Sequence, residues 1–294
     1  MSVCTLCPRK CGVDREIMRG YCQSGGKMHI ARAKLHYWEE PPISGTRGSG
    51  TIFFTGCSLR CAFCQNSEIS GESLHGKDFT VEEFIETIKK LEAMGAHNIN
   101  LVTPTHFASQ IAEALRIYKP RVPVVYNCGG YESVETLRML EGLVDIYLPD
   151  FKYLNTDHAK KYSKAEDYPE VAKAALAEMV RQTGEPAFDE CGMMKRGVIV
   201  RHLLLPGCLA DGKRVVKYLH ETYGNRIYMS LMSQYTPLES LDAAKYPELN
   251  RKVPEYAYEK LVDYAISLGV MQAFIQEGDT AKESFIPPFT LEGV

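Results

Sequence analysis

The chain lacks any apolar run near the roughly 20 residues that a membrane-spanning helix needs. No membrane partner is therefore expected. It also lacks a charged-then-apolar leader, since Cys4 follows the first residue almost at once, and the expected location is cytoplasmic. Neither sign of charge dominates: 34 Lys and Arg face 37 Asp and Glu, for a net charge of −3. That balance gives no general attraction to nucleic acid, which is not expected as a partner either. Tryptophan is nearly missing, with Trp38 the one copy. What is present is ordinary for a globular chain. The 294 residues are 45% hydrophobic and 24% charged, enough for one large domain or two small ones.

Cysteine is the residue in surplus. Of ten, seven fall within the first 64 positions in two tight groups, and such clustering points to metal rather than to cross-links. Cys128, Cys191 and Cys208 stand apart and read as core or incidental thiols.

Cys57, Cys61 and Cys64 have the spacing C-x3-C-x2-C, directly after the apolar run Ile52-Phe53-Phe54. Three thiolates on one tight loop can hold three corners of an iron–sulfur cube. No fourth cysteine follows at matching spacing, so one iron would stay open to a small molecule, as in an open metal site. A zinc loop fits less well, because zinc sites pair two C-x2-C knuckles and this loop has one.

Cys4, Cys7, Cys11 and Cys22 have the spacing C-x2-C-x3-C-x10-C. Four thiolates can fill a tetrahedral site, and zinc or a second iron–sulfur cluster both suit them. Pro8, Gly12, Gly20, Gly25 and Gly26 make this stretch turn-rich and too polar for a core of its own, so a metal is a natural staple. Residues 1–48 are expected to form a Cys-rich metal-binding segment, and residues 49–294 one barrel-like domain.

From Thr51 a strand–helix rhythm repeats. Strands are expected at 51–56, 98–103, 123–127, 144–150, 198–205, 226–232 and 271–276. Helices are expected at 80–94, 108–118, 134–141, 168–182, 212–223 and 254–268. Their boundaries carry stop and start chemistry: Thr80 and Glu83 form a capping box, and Gly95, Gly142, Gly184, Gly224 and Gly269 follow helix ends. The alternation predicts an α/β fold with a parallel sheet. Six units plus a last strand are too few for a closed eight-fold barrel and suit an open one.

In such folds chemistry sits at the C-terminal ends of the strands. Those ends hold Thr103, Thr105 and His106; Asn127 before Gly129-Gly130; Asp150 and Lys152; Arg201 beside His202; and Gln234 with Tyr235. Asp150 can receive a cationic amino group and Lys152 a carboxylate. Of Arg201 and His202, one must face inward. His106 and Tyr235 are candidate substrate contacts.

The cysteine loop Gly56-Cys57-Ser58-Leu59-Arg60-Cys61-Ala62-Phe63-Cys64 resembles the signature of the radical S-adenosylmethionine (SAM) superfamily. The resemblance implies a partial (β/α)6 TIM-like barrel, a [4Fe-4S] cluster on Cys57, Cys61 and Cys64, and SAM on the open iron. It further implies an electron donor such as flavodoxin or ferredoxin, reductive cleavage of SAM to a 5′-deoxyadenosyl radical, and hydrogen abstraction from a substrate. Thr103, Thr105, Asn127, Asp150, Lys152, Arg201 and Gln234 are then the expected SAM contacts. Many members carry Gly-Gly-Glu near the end of the second strand, where this chain has Thr103-Pro104-Thr105-His106.

Asp150-Phe151-Lys152 resembles the Asp-x-Lys run of glycyl-radical activating enzymes. From Cys4 to Pro288 the chain looks like the pyruvate formate-lyase activating enzyme-like proteins of PflX type, which implies an oxidoreductase with a possible protein substrate. It lacks the eight-cysteine insert that some activating enzymes carry. Two other readings stand beside this one. One is a non-catalytic iron–sulfur protein for electron transfer or assembly; the other is a hydrolytic barrel with structural zinc.

Overall fold

A computed structural model describes residues 3–71, 75–275 and 287–294. In chain order its main elements are β1 (Met28–His36), α1 (Pro41–Ser44), β2 (Ser49–Phe54), α2 (Ser67–Ser70), β3 (Lys77–Phe79), α3 (Val81–Ala93), β4 (Ile99–Val102), α4 (Ala108–Ile117), β5 (Val124–Cys128) and α5 (Val134–Met139). There follow β6 (Ile146–Pro149), α6 (Thr156–Ser163), α7 (Tyr168–Thr183), β7 (Ala187–Phe188), β8 (Met194–Leu203), α8 (Leu209–Tyr223), β9 (Tyr228–Met232), α9 (Glu255–Ser267) and β10 (Ala273–Ile275).

The sheet runs β10-β9-β8-β6-β5-β4-β2-β1-β3, with β7 attached to β8. From β2 to β10 along this order every neighbouring pair is parallel. β1 and β3 add antiparallel edges, with a bulge in β1 between Ile30 and Arg32. β10 and β3 end the order on opposite sides, so the barrel is open. This is the α/β architecture that the alternating pattern predicts. β2, β4, β5 and β6 are buried along their whole length, as parallel strands covered on both faces must be.

The helices start and stop where the local chemistry says. Thr80 Oγ1 accepts from Glu83 N at 3.2 Å and Glu83 Oε2 accepts from Thr80 N at 2.8 Å, closing the capping box of α3. Phe84, Ile85, Ile88 and Leu91 then bury one face of that helix. Gly184 and Gly224 end α7 and α8 with positive φ.

Several elements differ from the expectation, among them α1, α2 and β7, which are too short to carry a periodic signal. β1 runs through residues 28–36, so part of the 1–48 stretch enters the main sheet. β3 and α6 are polar and lacked a periodic apolar signal. β8 starts at Met194, four residues before the expected start, because its first residues pair with β7. Gln276, expected at the end of the last strand, lies outside the described residues.

α1 closes the barrel beside the start of β4, where Asn98 Nδ2 donates to the Ile43 carbonyl at 2.7 Å. Ile43 packs against Val125, Ile146, Leu148, Met194 and Ile199 inside the barrel. No described helix is long and apolar enough to cross a membrane.

Candidate active site

The cysteine loop leaves β2 through Gly56, whose φ is +83°. A Cβ there would lie 2.3 Å from the Cys22 carbonyl oxygen, so the position admits only glycine. Each thiol of the loop has a close polar neighbour. Leu59 N donates to Cys57 Sγ at 3.4 Å, Ser70 Oγ donates to Cys64 Sγ at 3.3 Å, and Ser163 Oγ lies 2.9 Å from Cys61 Sγ. Burial pushes the Cys61 thiol up to about 12, while Lys152 opposes and Cys57 and Cys64 reinforce that rise. Burial also raises Cys64, with Cys57 adding to it. Cys61 and Cys64 thus both feel Cys57 and share the charge of Lys152. Free thiols so placed hold their protons; iron, which deprotonates a coordinating thiol outright, suits this donor set.

Among the described residues no group of three or more His, Cys, Asp or Glu is gathered to hold a single metal ion. A cube presents its irons at separate corners and needs its thiolates only around one volume.

The first cysteine group lies on turns. Cys4 N donates to the Val13 carbonyl at 2.9 Å, Lys10 N to the Cys7 carbonyl at 3.0 Å and Gly12 N to the Cys4 carbonyl at 3.1 Å. Cys7 and Cys22 are buried and Cys11 is exposed. A Cβ on Gly20 would lie 3.2 Å from Cys11 Sγ and 3.6 Å from Cys22 Sγ, so both sulfurs converge on that glycine. Burial pushes the Cys7 thiol up to about 12.

Arg9, within this group, reaches the other. Its guanidinium donates to the Ser58 carbonyl at 2.8 Å, the Lys164 carbonyl at 2.6 Å and the Ser163 carbonyl at 3.2 Å. It also stacks on Tyr21, 4.2 Å from the ring centre. All ten cysteines are free; Cys128 and Cys208 are buried and Cys191 is exposed.

At the strand ends the structure brings Asn127, Asp150, Lys152 and Arg201 into one network. Arg201 Nε donates to Asp150 Oδ1 at 3.0 Å, Nη1 to Glu39 Oε2 at 3.3 Å and Nη2 to Asn127 Oδ1 at 2.6 Å. Lys152 Nζ donates to Asp150 Oδ2 at 2.6 Å and lies over the Phe63 ring at 5.6 Å. Burial alone would raise Asp150, but Lys152 and Arg201 outweigh it and hold the carboxyl below its ordinary range. Arg201 faces inward, whereas His202 turns its Nδ1 to the Phe151 carbonyl at 2.8 Å. Asn127, Arg201 and Gln234 line a cavity of about 490 Å³, together with Gln65 and Asn66 immediately after Cys64.

The other expected contacts lie elsewhere. Thr105 Oγ1 donates to Glu132 Oε1 at 2.9 Å, and Tyr126 donates to Glu132 Oε2 at 3.1 Å. Burial pushes the Glu132 carboxyl up to about 7 against those donors. Thr103 has φ of +58°, a strained value for a β-branched residue, and its N–H donates to the Asn127 carbonyl at 2.8 Å. His106 is buried, with Nε2 2.7 Å from the Thr55 carbonyl, and burial takes it down to about 4, so it is neutral there. Tyr235 is buried and donates to the Leu249 carbonyl at 2.5 Å. Neither His106 nor Tyr235 is among the cavity-lining residues, and neither is Thr103 or Thr105.

Sequence reasoning missed Glu39 and Glu40. Glu39 Oε1 accepts from Asn100 Nδ2 at 3.1 Å and Asn127 Nδ2 at 3.3 Å, and both Glu39 and Glu40 line the cavity. The one available signal was a carboxylate pair directly before Pro41-Pro42, a stiff dipeptide that fixes what precedes it.

Comparison with known proteins agrees with this geometry. The uncharacterized protein MJ0674 of Methanocaldococcus jannaschii is 29% identical over 271 residues, covering 89% of this chain and 74% of that one. The crystal structure of methylornithine synthase (PylB) has a similar fold, with a TM-score of 0.53 at 14% identity over 83% of this chain and 65% of that one. HydG, a maturase of the [FeFe]-hydrogenase, gives a TM-score of 0.52 at 17% identity over 78% of this chain and 52% of that one. The chain thus spans less than two thirds of either solved structure, and the likeness is one of fold. Residues 51–195, from the first parallel strand through the cysteine loop and past the Asp150–Lys152 pair, match the family model of the Radical SAM superfamily.

Proposed function

We propose that the protein is a radical SAM enzyme that abstracts hydrogen from its substrate, an oxidoreductase of the activating-enzyme kind whose target includes a protein glycine. One observation carries the reading. Gln65 and Asn66, which follow Cys64 directly, form the wall of the same cavity that Asn127 and Arg201 line. The place for a cluster and the place for a small molecule therefore adjoin.

When bound, a [4Fe-4S] cluster and SAM supply one-electron cleavage to methionine and a 5′-deoxyadenosyl radical. The residues of this chain do the rest. Cys57, Cys61 and Cys64 would hold three irons. Lys152 adds a positive charge beside those thiolates and anchors Asp150. Arg201 locks Asp150, Glu39 and Asn127 in fixed positions, so the polar wall is preorganised before a ligand arrives. Burial of the network keeps water from reactive species.

In this reading a flavodoxin or ferredoxin supplies the electron, and the location is cytoplasmic. Cys4, Cys7, Cys11 and Cys22 are assigned a second metal in this reading, zinc or iron–sulfur; the approach of the Cys11 and Cys22 sulfurs to Gly20 favours it, with the other two thiols drawn in as the metal binds.

The test is anaerobic reconstitution with iron and sulfide, then SAM and dithionite. Formation of 5′-deoxyadenosine is the expected outcome. A complete cluster that cleaves no SAM would sink the enzyme reading in favour of an electron carrier. Metal analysis of Cys11→Ala against the parent tests the second site, with loss of metal beyond the first cluster expected.

A further inference from the structure

Among the described residues, the cavity lies between the two ends of the open barrel sheet. Tyr37, Trp38 and Phe53 flank it from the β1–β2 side, and Ala273 and Phe274 from the β10 side. Its polar lining is unbalanced in charge. Two carboxyls, Glu39 and Glu40, meet one cation, Arg201, with the Asp150–Lys152 pair standing behind it; burial raises both glutamates and Arg201 opposes that rise. Burial, with Arg32 adding to it, takes His36 down to about 4, so that ring brings no compensating charge.

The cations are already engaged. Arg201 serves Asp150 and Glu39, and Lys152 serves Asp150. Glu40 is left over. It is 8% exposed, lines the cavity, and its Oε2 is buried with no hydrogen-bond partner. A buried carboxylate oxygen without a donor is costly and is kept where a ligand supplies what is missing.

The position is also rigid. The Glu40 carbonyl accepts from Ile43 N at 2.8 Å and Ser44 N at 3.1 Å, and Pro41-Pro42 fix the chain after it. At the mouth, Trp38 is 60% exposed and Tyr37 50% exposed. Aromatic faces at the entrance attract cations.

Resting on the radical SAM reading, we propose that the gap in the barrel admits a substrate bearing an ammonium or guanidinium group, and that Glu40 is the receptor for that group. The substrate is small or is one side chain of a larger molecule. The ion pair it forms balances the charge of the lining, and Trp38 covers it at the mouth.

Binding is measured on reconstituted protein, with no reductant present, by the fluorescence of Trp38, the one indole of the chain. The probes are n-butylammonium, n-butylguanidinium and the uncharged 1-pentanol, each titrated with saturating SAM. Both cations are expected to bind saturably and 1-pentanol not to. Glu40→Gln should weaken cation binding at least about tenfold, as loss of one partner of a buried charge pair does. Glu40→Asp, which keeps the charge on a shorter arm, should weaken it less and guards against a folding defect in the first variant.

Equal cation affinity in both variants, or equal binding of 1-pentanol, overturns the proposal. Displacement of the amine by SAM also overturns it, since Glu40 would then belong to the SAM site. Because no SAM is cleaved in this experiment, its failure is separate from failure of the enzyme reading.

Discussion

The two cysteine groups are built by different means. Cys57, Cys61 and Cys64 hang from the end of a fully buried strand; Ser163 and Ser70 meet Cys61 and Cys64, and the loop's own Leu59 N–H meets Cys57. Cys4, Cys7, Cys11 and Cys22 lie in a stretch whose own regularity is one isolated bridge, Val3 with Asp14, and a few turns. That stretch leans on the barrel. Ser133 and Thr136 donate to the Leu6 carbonyl at 3.3 and 2.7 Å, and Gln110 donates to the Gly26 carbonyl at 2.6 Å. The barrel therefore makes the first group a prearranged site, whereas the second is ordered by what it touches. Damage should separate them: a lesion in the loop should strike chemistry, and a lesion in the leading segment should strike stability.

The largest expected effect breaks that comparison at its strongest point. Cys61→Ala should abolish 5′-deoxyadenosine formation while far-ultraviolet circular dichroism stays native; Cys11→Ala should keep cleavage. Loss of cleavage in both, with the first cluster intact by electron paramagnetic resonance, would erase the distinction.

Next is Glu132, whose field reaches Cys7. Its carboxyl is raised from 4.5 to about 7 in the folded chain. As pH rises past 4.5 the unfolded chain ionises first while the folded one keeps its proton, so stability falls until pH passes 7. The loss is on the order of 3 kcal/mol. Denaturant unfolding between pH 5 and 8 should lose that much more stability in the parent than in Glu132→Gln. Parallel curves would mean that Glu132 stays ionised.

The smallest effect sharpens the contrast. Arg9→Ala removes three carbonyl contacts and should cost about 1–3 kcal/mol. Faster proteolysis of the leading segment, with reconstituted cleavage little changed, is the expected pattern.

The rhythm of the barrel was legible because its helices announce their ends, as Thr80 with Glu83 and Gly184 do. The parallel strands announced themselves by short apolar runs such as Ile146-Tyr147-Leu148. β1 was not legible, since Arg32 and Lys34 interrupt it and its pairing is antiparallel. α6 was missed because Asp157, His158, Lys160 and Lys161 leave little apolar stripe; Asn155 caps it instead. Arg201 was visible as a strand-end cation. Glu39 and Glu40 were not, because what brings them to the cavity is the path of the chain leaving β1; Glu39 meets Arg201 across 162 positions of sequence. His106 and Tyr235 looked like contacts by position, yet burial turned both toward backbone carbonyls.

Gly56 joins the two regions in a way that neither motif advertises. The Cys22 carbonyl sits where a side chain would be, so the leading segment acts as a gasket against the root of the cluster loop. Lifting it, whether by alkylating Cys22 or by trimming the chain short of Ser24, should leave the root of the loop open to solvent. A cluster held by Cys57, Cys61 and Cys64 should then bleach faster in air than in the intact chain.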